Sequence, residues 1–510
     1  MKSLLIAAGA GLLIFLTLGA WSLASPVGSA PDDDFHLASI WCGSGAREGI
    51  CELGTSESKR LAPDKAITSP CYAHDPDVTP SCQGEHFLDS GYDLVETTRV
   101  NSGNQYPSGY YFWTSKLASE NVATSTIAIR LANSALFAIL MVATWYILPR
   151  RLRFSLAASV ALTFVPVGVF MVASVNPSSW AIASAAFVLP ALLGYFSTTG
   201  WRQISLAGIA VFAAILSFSA RGDSAAYTLV AALAATVLAF RPDRRFWKLS
   251  LLPVALIASA IAAFLSTGQT GLALDGAMGE TTDEAPKSKA TLVILNLLSL
   301  PNLWNGVFGQ NWGLGWLNTT MPAVVPATII FLFAGTIFVH MRTIDWRRIV
   351  ALSGIGLAAI VIPTYILVQS ETLVGSHVQP RYILPLITMF LCAVIAPTAA
   401  TRTATNSVVA LSRLQLWLIG FGLAGAHAIS LFVNLRRYVT TGSYNLDGDI
   451  DWWWNAGPSP FTVLAIGAVA FAALMALFSI TSERSDSAPR THRVFAIARE
   501  DTRERDLGAA

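Results

Sequence analysis

PFTVLAIGAVAFAALMALFSIT, residues 460–481, carries no charged side chain. A helix of about 20 apolar residues, rising 1.5 Å per residue, covers the roughly 30 Å hydrocarbon core of a bilayer. This stretch is therefore long and apolar enough to cross a membrane. Applied outward along the chain, the same criterion predicts further spans near 3–24, 120–148, 152–175, 178–197, 203–220, 223–240, 247–267, 322–340, 349–369, 380–400 and 413–433. Composition agrees: 54% of the 510 residues are hydrophobic and 13% charged, with a mean hydropathy of +0.54. Soluble domains carry about 25% charged residues. The balance excludes a disordered chain, a nucleic-acid binder with a basic body and an ordinary cytosolic enzyme. The predicted fold class is all-α integral membrane, a polytopic bundle of about 12 transmembrane helices (roughly 11–13) with a large extracytoplasmic first loop.

Short loops rich in Lys and Arg stay on the cytoplasmic side. The loops after spans 2, 4, 6, 8 and 10 hold Arg150, Arg151, Arg153, Arg202, Arg241, Arg244, Arg245, Lys248, Arg342, Arg347, Arg348, Arg402 and Arg413, against only Asp243 and Asp345. Both termini and these loops are therefore expected in the cytoplasm, and the protein in the cell membrane. The expected organisation is a first helix at 1–24, an extracytoplasmic insert at 25–121, helices 2–7 over 122–267, a second outer loop at 268–321, helices 8–12 over 322–481, and a tail at 482–510. Lys2, the apolar run and the small residues before Ala30 also fit a cleaved secretory signal. The length of the run and Trp21, placed as an interfacial anchor, favour a retained helix. The tail, with six Arg, three Asp and three Glu, is expected to be disordered or weakly helical.

The insert has 14 acidic and 6 basic residues, a local charge of −8 by subtraction, and four of the five cysteines. Four cysteines on an oxidising side permit three pairings. The short separations favour Cys42–Cys51 and Cys71–Cys82. Zinc is the alternative, but the paired CxxC spacing of a structural zinc site is absent. Cys392, within a span, reads as a small apolar filler. In the second outer loop the ten-residue apolar stretch Thr291–Leu300 is too short to span, so it is expected to be interfacial or re-entrant. Trp304, Trp312 and Trp316 follow it. The last outer loop holds Asp447, Asp449, Asp451 and Trp452–Trp454. These aromatics fit a headgroup belt or stacking on a sugar ring.

Pro31-Asp32-Asp33-Asp34-Phe35-His36 directly follows the first span. Adjacent carboxylates repel one another, which raises the pKa of at least one. Such a group suits a general base or a Mg2+ or Mn2+ site built from Asp32, Asp33 and Asp34. A solvated helix cap is the plainer alternative. His36 is weak as a lone metal ligand and better suited to a hydrogen bond with the carboxylates. Arginines near the outer span ends are Arg221, Arg381 and the pair Arg436-Arg437, while Arg130 lies about ten residues inside the second span. Guanidinium groups grip phosphate bidentately, so these could hold a lipid-carried phosphate. Local pairing with Asp223 is the alternative for Arg221, and snorkelling for Arg436. There is no GxxxxGK[ST], no Rossmann glycine pattern and no H-E-x-x-H. Neither a nucleotide nor a nucleic acid is expected as a partner.

Pro31-Asp32-Asp33-x-x-His36, Asn176-Pro177-Ser178, Arg221-x-Asp223 and Arg381-Tyr382-Ile383-Leu384-Pro385 resemble a family of bacterial multipass membrane proteins, domain of unknown function 2142. The resemblance runs from the first span to the eleventh. That family is in turn similar to the C-type glycosyltransferases, which use polyprenyl-phosphate-linked sugars. The resemblance implies that Asp32 and Asp33 are the catalytic acidic pair and that Arg381 holds the donor phosphate, with Arg221 and Arg436 as second choices. Asp34 departs from the usual motif and leaves open which two of three carboxylates act. The implied partners are the bilayer, a polyprenyl-phosphate-linked sugar and an envelope glycan or lipid acceptor. The competing functions are a transporter or flippase of lipid-linked glycans or polar solutes, and a non-catalytic scaffold for envelope assembly.

Overall fold

Every predicted span coincides with helix in the computed structural model, which describes all residues except 1, 68, 104, 268–287, 343, 376–377, 399–410, 441–445, 447–450, 455–456 and 487–510. The spans are formed by α1 (Lys2–Leu23), α5 (Val122–Ile147), α6 (Arg150–Phe164) with α7 (Val167–Val172), α8 (Ser178–Ser197), α9 (Trp201–Ala220), α10 (Ser224–Ala239), α11 (Arg244–Leu249) with α12 (Leu251–Leu265), α14 (Val324–His340), α15 (Trp346–Gln369), α16 (Pro380–Ile395), α17 (Arg413–Val439) and α18 (Pro460–Asp486). Among the described residues, eight helical stretches are long and apolar enough to cross a membrane, and α10, α14 and α16 are apolar but shorter. The protein is an all-α polytopic membrane protein.

Helix α8 is the centre of the bundle and is buried along nearly its whole length. Its Ala- and Ser-rich sequence lets α9, α10 and α16 approach closely. Peripheral helices instead expose large apolar side chains, among them Leu12, Ile204, Phe331, Phe338 and Phe421. Lipid is the solvent that such a surface fits.

The third span departs from the expected continuous helix over 152–175. It breaks after Phe164, at the Val165–Pro166 bond, which is cis. Proline has no N–H to continue the ladder, and it disfavours helical backbone in the residue before it. The apolar stretch at 291–300 is likewise longer than read from sequence: it lies within α13, Lys289–Gly306. Ser288 caps that helix by accepting the Thr291 N–H at 3.1 Å. The 482–510 tail lies outside the described residues from 487 onward, as do Arg402, Asp447 and Asp449.

The insert has structure of its own. Helix α2 (Asp33–Trp41) sits against a small antiparallel sheet of β1 (Glu52–Leu53), β2 (Arg60–Pro63) and β3 (Leu94–Thr97), in that spatial order. Leu61 faces Glu52 on one side and Glu96 on the other. Two short helices, α3 (Asp64–Ile67) and α4 (Ser108–Thr114), complete it. The disulfides are Cys42–Cys51 and Cys71–Cys82, with Cα separations of 5.2 and 6.1 Å. Arg437 on α17 fastens the second disulfide loop to the bundle, donating to the carbonyls of Val78 at 2.8 Å and Tyr72 at 3.0 Å, and to that of Asp75.

Candidate functional site

The turn between α1 and α2 is held open by its own backbone carbonyls. Arg130 donates to the carbonyls of Ser22 (3.1 Å), Ser25 (2.6 Å) and Pro26 (2.7 Å). Tyr72 donates to Val27 O, and Trp316 donates to Gly28 O at 2.9 Å. Asn176 donates to Pro31 O at 2.9 Å while accepting the Ser178 N–H at 2.9 Å. The Asn176-Pro177-Ser178 turn thus grips the Pro31–Asp34 segment directly.

Within that segment the three carboxylates go to three places. Asp32 is the N-cap residue of α2, with a left-handed φ of 62°, and its side chain makes no capping bond. Asp33 folds back, so that its Oδ2 accepts the Ala30 N–H at 2.9 Å, and its buried Oδ1 has no partner. Asp34 accepts a two-pronged contact from Arg99, with Nη2 at 2.8 Å. The left-handed backbone of Asp32 turns it away from the helix, on which Asp33 and Asp34 point about 100° apart. Among the described residues no three His, Cys, Asp or Glu side chains gather as metal ligands. Asp32, Asp33 and Asp34, expected as possible metal ligands, turn instead to Arg381, the Ala30 N–H and Arg99.

Asp32 points at Arg381. Helix α16 opens with Pro380 in its first turn, where the missing N–H costs nothing. The next residue, Arg381, is buried and donates from Nη2 to Asp32 Oδ2 at 2.9 Å and to Tyr382 Oη at 3.0 Å. Its Nε and Nη1 are buried without a partner. The Asp32 side chain stays 42% exposed, so this pair reaches the surface. Arg221 also lies over the Tyr382 ring, 4.5 Å from the centroid and 5.5 Å from that of Tyr106. Arg221 pairs with Asp223 through two contacts, at 2.9 and 3.1 Å. Asp32, Arg381, Tyr382, Arg221 and Asp223 thus form one charge-balanced group. A narrow cleft of about 20 Å3, lined by Pro31, Trp312, Gly315, Gln379 and Arg381, adjoins it.

Burial works against ionisation of Asp32, but the charge and hydrogen bond of Arg381, with the charge of Arg221, outweigh it and hold its carboxyl below the usual range. Asp33 behaves oppositely: burial pushes it up to about 7, against Arg130 and the Ala30 hydrogen bond. Burial also drives His36 down to about 3, so it is neutral. The expected hydrogen bond from His36 to a carboxylate is replaced by one between Nδ1 and the Tyr111 hydroxyl at 2.9 Å. The ring is packed among Phe35, Tyr106 and Tyr111, and its Nε2 has no partner.

The remaining sequence-predicted residues lie elsewhere. Arg130 serves the carbonyls that end α1, and among the described residues the contacts of Asp32 and Arg381 are with each other and with Tyr382 rather than with Arg436. Asp451 accepts hydrogen bonds from Thr79 and Ser81. Trp312 lines the cleft, whereas Trp304 does not. Sequence reasoning overlooked Tyr106, Tyr111 and Arg99. Their signal was the aromatic run Tyr106–Tyr111 in an otherwise polar insert, and the scarcity of basic residues there.

The fold and this cluster define a polytopic helical membrane protein with a polar site where its insert meets the bundle. The family described as predicted membrane protein (DUF2142) matches residues 15–390, and the chain belongs to it. No curated protein and no solved structure matches the chain.

Proposed function

We propose that this protein is an extracytoplasmic glycosyltransferase-like enzyme, transferring a sugar from a polyprenyl-phosphate donor to a cell-envelope acceptor. One observation carries the reading: an ionised, surface-reaching Asp32 is held by a buried Arg381 that keeps two unpartnered N–H groups. The Arg381 guanidinium takes the donor phosphate through an N–H that the protein leaves without a partner, as charge-assisted bonds favour. Asp32 accepts the proton of the acceptor hydroxyl as its oxygen attacks the anomeric carbon. The bond from that carbon to the phosphate oxygen breaks, and the polyprenyl phosphate leaves with its charge against Arg381. Configuration at the anomeric carbon is inverted. Arg221, over the Tyr382 ring, adds positive potential without touching the donor. Asp33 supports the turn rather than reacting. The narrow cleft admits a donor only after the Trp312–Leu317 turn moves aside.

The test is transfer from a polyprenyl-phosphate sugar in proteoliposomes. Asp32→Asn is expected to lower the rate 10²- to 10⁴-fold, roughly the contribution of a positioned general base. Asp34→Asn, which breaks only the Arg99 pair, is expected to change it less than about tenfold by comparison with that range. An Asp32→Asn protein that folds and transfers at the original rate overturns the reading.

A further inference from the structure

A second polar cavity lies at the opposite end of the bundle. Helices α9 and α10 both have one terminus at the Arg221–Asp223 turn, and they run roughly 24–30 Å away from it at 1.5 Å per residue. There, Arg151 at the start of α6, Arg241 after α10 and Arg245 on α11 line a cavity of about 330 Å3 with Phe196, Asp243 and Phe246. Two segments distant in sequence, one holding Arg151 and the other Arg241 and Arg245, thus bring guanidinium groups to one hollow.

Three arginines line this hollow against one acidic residue. Asp243 is the one acidic residue lining it, and its Oδ1 accepts the Phe246 N–H at 2.7 Å as the cap of α11. Arg151 makes no hydrogen bond or ion pair among the described residues, and Arg241 is near enough to oppose its charge. Arg245 donates to the Thr198 carbonyl, which holds its guanidinium at the cavity wall. An anion with several acceptor oxygens would relieve this repulsion and use the forked donors.

Two features favour a lipid source for that anion. The cavity wall is part apolar, with the Phe196 and Phe246 rings stacked at 5.6 Å. Its flanks expose Trp201 (59%) and Trp247 (61%), with Ile204 (74%) and Leu251 (72%) beyond them. Indoles above an apolar belt mark the headgroup level of a bilayer, and basic pockets between helices at that level suit anionic headgroups. We propose that Arg151, Arg241 and Arg245 form a binding site for the phosphate headgroup of one anionic phospholipid. This site is independent of the glycosyltransferase reading.

The experiment uses the full chain in mixed micelles, with phosphatidylglycerol or phosphatidylcholine added and bound lipid counted by native mass spectrometry. The unaltered protein is expected to retain one phosphatidylglycerol and show a higher Tm than with phosphatidylcholine. Arg151→Gln/Arg241→Gln is expected to weaken that retention at least tenfold while leaving Tm in phosphatidylcholine unchanged. Arg150→Gln/Arg202→Gln removes two charges from the same end outside the cavity and is expected to retain the lipid. Equal losses in both variants would mean diffuse attraction by a basic surface and overturn the site. Displacement of the lipid by equimolar glycerol phosphate would show a free-phosphate site and overturn the lipid assignment. A variant whose Tm in phosphatidylcholine falls is replaced by Arg151→Lys/Arg241→Lys, for which undiminished retention overturns the forked contact.

Discussion

Asp32 and Asp33 are neighbours with opposite electrostatics, and the backbone makes the difference. The left-handed φ of Asp32 turns its side chain outward to Arg381, whereas Asp33 enters the helix and folds into the interior. A carboxyl raised from 3.8 to about 7 binds a proton more tightly in the native state than in the unfolded one. Its stabilising contribution is therefore full below about pH 3.8 and lost as pH rises through 7. Linkage at about 1.4 kcal/mol per pH unit sets a ceiling of about 4 kcal/mol on the effect. Asp33→Asn keeps an oxygen for the Ala30 N–H and cannot ionise. Thermal melts at pH 5 and 8 are expected to show a smaller Tm difference for this variant than for the unaltered protein; an equal difference would assign the pH dependence elsewhere. Arg130→Met tests the other side of the turn. It would strand three carbonyls and is expected to cost about 3–5 kcal/mol, the range for breaking a buried charged network, seen as a lower denaturation midpoint. Sequence pointed to the acidic cluster and to Arg381 because clustered charges beside apolar spans are rare. It could not divide the three carboxylates, since that depends on one φ angle and on partners 65 and 349 residues away.

At the scale of elements, the length of the apolar runs located the long helices because 20 apolar residues leave few alternatives. It gave no sign of β1, β2 or β3, which are two to four residues long and too short to show alternation. The break at Pro166 was present in the sequence but hidden by apolar residues on both sides. The Cys71–Cys82 loop is held twice, by its disulfide and by the three carbonyl contacts of Arg437. Closing a loop of this size stabilises by about 2–4 kcal/mol. Limited proteolysis of Cys71→Ser/Cys82→Ser is therefore expected to cut within residues 72–81 much faster than in the unaltered protein. Arg437→Gln should open the same segment with the disulfide intact. Cleavage confined to another part of the insert in both variants would show that neither restraint governs this loop.

At the scale of the whole molecule, the two ends of the bundle carry different chemistry. One end holds the insert, both disulfides and the Asp32–Arg381 group; the other gathers Arg150, Arg151, Arg153, Arg202, Arg241, Arg244 and Arg245. The helix path fixes this separation, because α9 and α10 connect the Arg221 turn to the arginine-rich end. The direction in which the bundle sits in the membrane rests on the charge bias alone. Short loops dense in Lys and Arg are retained on the cytoplasmic side, so the insert is expected outside. Glu57→Cys places a thiol on an exposed part of the insert, and Arg244→Cys places one on the exposed opposite end. Cys392 is buried and gives no competing signal. A membrane-impermeant maleimide applied to intact cells is expected to label Glu57→Cys at once and Arg244→Cys only after permeabilisation. The reverse pattern would put Asp32 and Arg381 in the cytoplasm. There a lipid-linked donor displayed on the outer leaflet could not reach them, and the transfer reaction would lose its substrate.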